Sequence, residues 1–238
     1  MNASAKENAV RVLFVHGMGR TSLSGWRLLR RLRRAGLKTR TFGYSVVFEN
    51  FDAIVARLRT QLALLAHTGE YMVIGHSLGG VLLRAALGSL PAGATLPSHV
   101  YLLGSPVLAS RIAIRLKNNG LFRALTGDCG QLLGSVDRMN AIGPLAVPAT
   151  AIVGTRGISS RYGPFGDEVN DGLVAVSEVN APWLTSCVRV AVFHTLLPSS
   201  ARVADIILQD IALRQRMPIV QRTAEKPPDP AYEQDGTP

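Results

Sequence analysis

Tyr71-Met72-Val73-Ile74-Gly75-His76-Ser77-Leu78-Gly79-Gly80 is a short apolar run ending in a Gly-x-Ser-x-Gly pentad, and the helical-looking Val81-Leu82-Leu83-Arg84-Ala85-Ala86-Leu87 follows at once. A serine between strand and helix, with glycine two residues before and two after, reads as a nucleophile elbow. The turn is so tight that only glycines leave room for it, and it lifts the serine oxygen clear of the sheet. The helix that starts after Ser77 also points free N–H groups and the positive end of its dipole at the place where an oxyanion would form during acyl transfer. With 23 glycines in the chain the pentad alone is only moderately specific; the strand before it and the helix after it supply the context. The plainer alternative is a glycine-rich strand–helix turn without chemistry.

Upstream, residues 10–15 form a β-branched run followed by His16-Gly17-Met18-Gly19. A glycine-flexed turn at the carboxyl end of a strand is where a second oxyanion donor belongs, so the backbone N–H groups of Met18 and Leu78 are the expected pair. Such a turn also suits phosphate binding, but no Gly-Lys-Ser/Thr follows and Gly-x-Gly-x-x-Gly is absent here, which counts against a nucleotide site.

A serine hydroxyl needs an imidazole to take its proton and a carboxylate to hold that imidazole in the correct tautomer. Of five histidines, His16 and His76 lie in the two loops just described, and His67 and His99 are expected at element edges facing solvent. His194 follows Cys187-Val188-Arg189-Val190-Ala191-Val192-Phe193, the last strand-like segment, which is the position of a triad base; a purely structural histidine is the alternative. The order serine, acid, histidine leaves Asp128, Asp137, Asp167, Glu168, Asp171 and Glu178 as acids. Asp171 is preferred because Asn170-Asp171-Gly172-Leu173-Val174 joins a carboxylate to a turn glycine after the strand-like residues 149–153. Asp167 and Glu168 are its rivals, and Asp171 capping its own turn is the bland reading.

These three pieces resemble the α/β-hydrolase superfamily, and within it the small bacterial lipases and esterases, over residues 10–212. The pentad is similar to the elbow of triacylglycerol lipases, and the pairing of His16-Gly17-Met18 with Asp171-Gly172-Leu173-Val174 resembles Pseudomonas-type lipases and acylhydrolases related to glycosylphosphatidylinositol deacylase. The resemblance implies carboxylic-ester hydrolysis through an acyl-serine, with Ser77, His194 and Asp171 as catalytic residues, Gly17, His76 and Tyr44 near the substrate, and no cofactor or metal. Tyr44, Phe48 and Phe51 are expected either at an acyl pocket or in the core. Transfer of the acyl group to an alcohol, thiol or peroxide (acyltransferase, thioesterase or perhydrolase) uses the same three side chains. A reading of another class, an inert binding module on the same fold, is disfavoured because all three are present. There are departures from the secreted lipases: residues 1–9 are polar and lack a signal pattern, and Asp167, Glu168 and Asp171 are too few for a calcium site. A cytoplasmic enzyme is the resulting expectation.

The coarse pattern places strands at 10–15, 38–44, 71–75, 98–104, 149–153 and 187–193 and helices at 24–35, 50–66, 78–88, 107–125 and 199–213. That alternation predicts an α/β fold, a mostly parallel central sheet with helices on both faces. The expected organisation is an N-terminal extension over 1–9, one domain over 10–213, and a disordered proline-rich tail over 214–238. The helix over 107–125 either packs on the sheet or forms a minimal cap. Hydrophobic residues make up 47% of the 238, enough for a sizeable core, yet no run reaches membrane-spanning length. Cys129 and Cys187 lack metal spacing and a disulfide framework; free thiols are expected, with a single bridge the alternative.

The net charge is +10, and the tail from Met217 onward is itself acidic, so the basic excess belongs to the domain. Arg27, Arg30, Arg31, Arg33 and Arg34 crowd the first helix beside Trp26, Leu28, Leu29 and Leu32. A solvated helix face is the simple reading and an anionic membrane surface the sharper one, with a small-molecule or lipid ester as substrate. No helix-turn-helix, zinc-finger or aromatic–basic motif points to nucleic acid.

Overall fold

The computed structural model describes residues 10–216. The proposed extension over 1–9 and nearly all of the proposed tail lie outside the described residues. Six strands form one sheet: β1 (Arg11–Val15), β2 (Lys38–Phe42), β3 (Tyr71–His76), β4 (His99–Leu103), β5 (Ala149–Gly154) and β6 (Ser186–Val190). Their order is β2-β1-β3-β4-β5-β6 and every pairing is parallel, so the sheet is wholly rather than mostly parallel.

The handedness of parallel crossovers decides where the helices go. β1 leads through α1 (Trp26–Arg34) to β2 at the edge. The chain then returns through α2 (Phe51–Ala66) to β3 on the other side of β1, and goes on through α3 (Leu78–Gly88) to β4. Right-handed connections running in opposite directions put their helices on opposite faces. The burial agrees. Val12, Phe14, Met72 and Ile74 pack with Leu28, Leu29 and Leu32 of α1 and with Val203, Ile207 and Ile211 of the last helix. Leu13, Val15 and Val73 pack with Ile54, Leu58 and Leu62 of α2 and with Val81 and Leu82 of α3. Each such side chain contributes about 1.5–3 kcal/mol on burial, and the period of two along β1 supplies both faces from one strand.

Between β4 and β5 the expected single helix over 107–125 is divided between α4 (Arg111–Leu116) and α5 (Gly120–Leu133), and a third short helix, α6 (Val136–Ala141), follows. Ser110, Asn119 and Ser135 each accept a hydrogen bond from the backbone N–H three residues on, so three N-caps divide the segment. Gly127, at φ 53° and ψ −146°, kinks α5, and only glycine fits there because a β carbon would overlap the Val46 carbonyl oxygen. A one-turn helix, α7 (Val176–Val179), and α8 (Ala201–Arg216) complete the α-helices among the described residues, and α8 runs three residues beyond the expected domain end. Trp26, expected on the apolar face of α1, is 49% exposed. Cys129 is buried, Cys187 is exposed, and both are free.

His99, expected in solvent, is fully buried as the first residue of β4. Its Nε2 lies 2.9 Å from Thr150 Oγ1 and 3.7 Å from Asp210, which also accepts from Tyr101 Oη at 2.7 Å and Arg214 Nε at 2.9 Å, tying α8 to the sheet. Burial, helped by the Arg214 charge and opposed by Asp210, pushes the His99 imidazole down to about 3. The unfolded chain therefore takes up a proton near pH 6.5 that the native state refuses, so this stabilisation is complete above that pH and is lost as pH falls towards 3. Between pH 7.5 and 5.0 the loss should reach about 2 kcal/mol for this one side chain. Urea midpoints at the two pH values test it: His99→Gln should show the smaller acid-induced drop, and equal drops would contradict the assignment.

Candidate active site

β1 and β3 are neighbours whose connections leave in opposite directions, and a crevice opens at the carboxyl ends of strands at such a reversal. Val15 is level with Gly75 and His76 with Leu103, so the loops after β1, β3 and β4 emerge side by side.

Ser77 occupies the turn between β3 and α3 with φ 53° and ψ −124°, the one positive-φ non-glycine residue among those described. Such a conformation costs about 1–3 kcal/mol and persists only where the surroundings enforce it. The flanking glycines show how. A β carbon on Gly75 would overlap Gly80, one on Gly79 would overlap the carbonyl oxygens of Val15 and His16, and one on Gly80 would overlap Ser105. The helix thus starts in contact with the backbone of two strands, and the serine N–H is held by Leu103 O at 2.9 Å. Gly79→Ala should lower stability by about 3 kcal/mol, since the obstacle is backbone rather than a movable side chain. An unchanged urea midpoint would refute that.

His16 shapes the loop after β1. Its Nδ1 lies 2.9 Å from Gly17 O, and its Nε2 lies 3.4 Å from Tyr44 N, which fixes the neutral tautomer: Nδ1–H donates to the carbonyl and Nε2 accepts from Tyr44 N–H. Tyr44 stacks on the imidazole at 4.2 Å with the planes 2° apart, and its hydroxyl donates to His16 O at 2.8 Å. Burial pushes the His16 pKa down against the opposing pull of Gly17 O, favouring the neutral ring. Gly17 O also accepts from Arg20 N at 3.3 Å, across a turn with Gly19 at φ 66°. With that carbonyl fixed on one side, a trans peptide turns Met18 N–H to the other. Gly17 sits so near the elbow that a β carbon would approach His76 Nδ1 to 2.9 Å and Ser77 Cβ to 3.1 Å.

Asp171 and His194 meet from separate loops. His194 Nδ1 lies 2.7 Å from Asp171 Oδ2, and His194 N donates to Asp171 O at 2.9 Å; both residues are buried. The other carboxylate oxygen, Oδ1, accepts from Leu173 N at 3.0 Å and Val174 N at 2.8 Å. One carboxylate oxygen thus meets the imidazole and the other caps the turn. Of the rivals to Asp171, Glu168 pairs with Arg111 at 2.7 Å and Asp167 is exposed; Asp128, another candidate, pairs with Arg138 at 2.7 Å. Behind the pair, Gly104 (φ 54°) leaves so little space that a β carbon would come within 3.0 Å of both Asp171 Oδ2 and His194 Nδ1. Gly104 directly follows Leu103, whose carbonyl holds the Ser77 N–H, so the Ser77 backbone and the Asp171–His194 pair both lie at the end of β4.

His76 is buried, its Nε2–H donating to His194 O at 3.1 Å, with the two rings 5.0 Å apart. Burial, then the His194 charge, push its pKa well down and keep it neutral. The side chain thus joins the elbow to the loop of His194 rather than facing an open cleft. Tyr44, likewise, braces His16. Phe51 is core and Phe48 is 87% exposed. In sequence Ser105-Pro106 reads as part of a pocket wall; the glycine before it, Gly104, lies against the Asp171–His194 pair.

Neither a protein-family model nor a curated protein matches the chain. Solved structures do. The mature form of the Bacillus licheniformis lipase BlEst2 superposes with a TM-score of 0.66 at 16% identity, over 85% of this chain and 91% of the lipase. The metagenomic carboxyl esterase MGS0156 gives 0.64 at 16% identity, over 88% of this chain and 76% of the esterase. The thioesterase RedJ of prodiginine biosynthesis in Streptomyces coelicolor gives 0.54 at 18% identity, over 88% and 87%.

The chain has the α/β-hydrolase fold. Six parallel strands with helices on both faces agree with the expected fold class. Among the described residues no helix is long and apolar enough to cross a membrane.

Proposed function

We propose that the chain is a serine hydrolase of carboxylic esters. The observation that carries this reading is the 2.7 Å Asp171–His194 hydrogen bond beside a serine in strained conformation on a strand–helix turn. Ser77 Oγ attacks the acyl carbonyl carbon while His194 Nε2 takes its proton, and Asp171 Oδ2 accepts from Nδ1–H and steadies the imidazolium. The N–H groups of Met18 and Leu78, neither of which donates to a backbone acceptor among the described residues, hold the oxyanion. His194 returns the proton to the departing alcohol, leaving an acyl-serine. Water, activated by the same imidazole, releases the acid. The chemistry calls for no metal and no organic cofactor.

Esterase, lipase and thioesterase neighbours support hydrolysis of an acyl bond, and the basic surface of α1 supports a lipid ester met at an anionic membrane. The direct trial is release of p-nitrophenol from p-nitrophenyl butyrate by the wild-type protein. Saturable turnover is expected, with butyric acid as product. Absence of turnover on this and on longer acyl esters would overturn the reading.

A further inference from the structure

Two open grooves adjoin the site. One, of about 650 Å³, runs along the chain just after Met18, between Arg20, Leu23, Trp26 and Arg27 on one side and Thr195, Leu196 and Ser199 on the other. The second, of about 270 Å³, continues past Arg27, Leu196 and Ser199 to Arg156, Val192 and Phe193. They share Arg27, Leu196 and Ser199 and form one trough, the latter two residues belonging to the 3-10 turn His194–Ser199 that begins with the imidazole.

Three guanidinium groups and no carboxylate line this trough. Five arginines elsewhere are ion-paired: Arg31 with Asp205, Arg57 with Glu49, Arg111 with Glu168, Arg138 with Asp128 and Arg214 with Asp210. Arg20, Arg27 and Arg156 have no ion-pair partner among the described residues. Arg30, Arg33 and Arg34, on the same helix as Arg27, line neither groove. Two of the three are pre-positioned: Arg27 lies 5.4 Å from the Trp26 ring centroid and Arg156 lies 5.9 Å from that of Phe193. Stacking holds the planar fork by its face and leaves its N–H edge for a ligand. The Arg20 charge is felt at His76, inside the site. From residue 10 to residue 48 the chain has no aspartate or glutamate, so the segment that carries Arg20 and Arg27 brings no carboxylate of its own.

Resting on the esterase reading, we propose that this trough binds a phosphate group on the alcohol side of the ester, held by Arg20, Arg27 and Arg156, and that the preferred substrates are short- or long-chain acyl esters of a phosphate-bearing alcohol. A phosphate takes two parallel N–H···O bonds from a guanidinium, and Thr21 and Thr195 add hydroxyl donors beside it. Leu23, Trp26, Phe193 and Leu196 offer apolar wall to the carbon skeleton that joins phosphate to ester.

The test compares dibutyryl phosphatidic acid, below its aggregation concentration, with tributyrin, which has the same acyl chains and glycerol but no phosphate. The wild type should favour the phosphate ester in kcat/KM, and that preference ratio should fall by about 10- to 100-fold in the Arg27→Gln/Arg156→Gln double variant, mainly through KM. An unchanged ratio would overturn the proposal. Titration calorimetry on the Ser77→Ala protein separates binding from chemistry. Dibutyryl phosphatidic acid should bind saturably and be displaced by inorganic phosphate, and neither should bind once the two arginines are also replaced. Binding to phosphatidylglycerol vesicles alone would mean a membrane-contact surface and refute the trough. If calorimetry succeeds while the wild type cleaves neither ester, the esterase reading fails and the anion site stands.

Discussion

Replacing Ser77 by alanine is expected to lower kcat on p-nitrophenyl butyrate by about 10⁴- to 10⁶-fold, the scale on which loss of a nucleophile removes a covalent pathway. The fold should survive, because the serine side chain carries no hydrogen bond that the elbow needs: the turn is held by Ser77 N to Leu103 O and by the close contacts of Gly75, Gly79 and Gly80. Alanine at φ 53° is as strained as serine, so its urea midpoint should match the wild type. Glycine is not strained there, and Ser77→Gly should be equally inert yet more stable by about 1 kcal/mol. Both variants are read by steady-state turnover and equilibrium unfolding. Activity within tenfold of wild type in either would remove Ser77 from the chemistry.

Asp171→Asn is expected to cost about 10⁴-fold in kcat, for a reason specific to this loop. Oδ1 of the carboxylate accepts two backbone N–H groups, from Leu173 and Val174, and an asparagine must keep its oxygen there. Its amide nitrogen is then forced towards His194 Nδ1, where the carboxylate had accepted. The imidazole answers by moving its proton to Nε2 and turning a donor, not an acceptor, towards Ser77. Asp171→Ala loses the turn contacts as well and should be destabilised by about 1–3 kcal/mol, which asparagine avoids. Turnover and urea midpoints of the two variants separate orientation from folding; an Asn variant within tenfold of wild type would show that Asp171 only caps its turn.

The elbow was legible because its demands are local. A glycine two residues either side of Ser77, an apolar run before and a helix after are all written within seventeen residues, and the close approaches of Gly75, Gly79 and Gly80 explain those glycines one by one. His194 and Asp171 were legible by placement, each in a loop after a strand, since chain order limits which loops reach the carboxyl edge of the sheet. Contacts made across long separations were not. Tyr44 reads as a pocket aromatic, yet it stacks on His16, 28 residues away, and fixes the tautomer that orients the Met18 peptide. His99 reads as an exposed loop residue because no local pattern announces the buried Thr150 and Asp210 that await it. The single helix over 107–125 failed for a third reason: its apolar spacing continues across Asn119, and capping, not hydrophobicity, divides it.

The whole account rests on Ser77 being made nucleophilic by His194. A fluorophosphonate captures an activated serine as a stable tetrahedral adduct, and digestion followed by mass spectrometry gives its position. The result expected is stoichiometric phosphonylation of Ser77 in the wild type, with the labelling rate reduced at least about 10³-fold in His194→Ala. Modification at another residue, or a rate at Ser77 indifferent to His194, would contradict it.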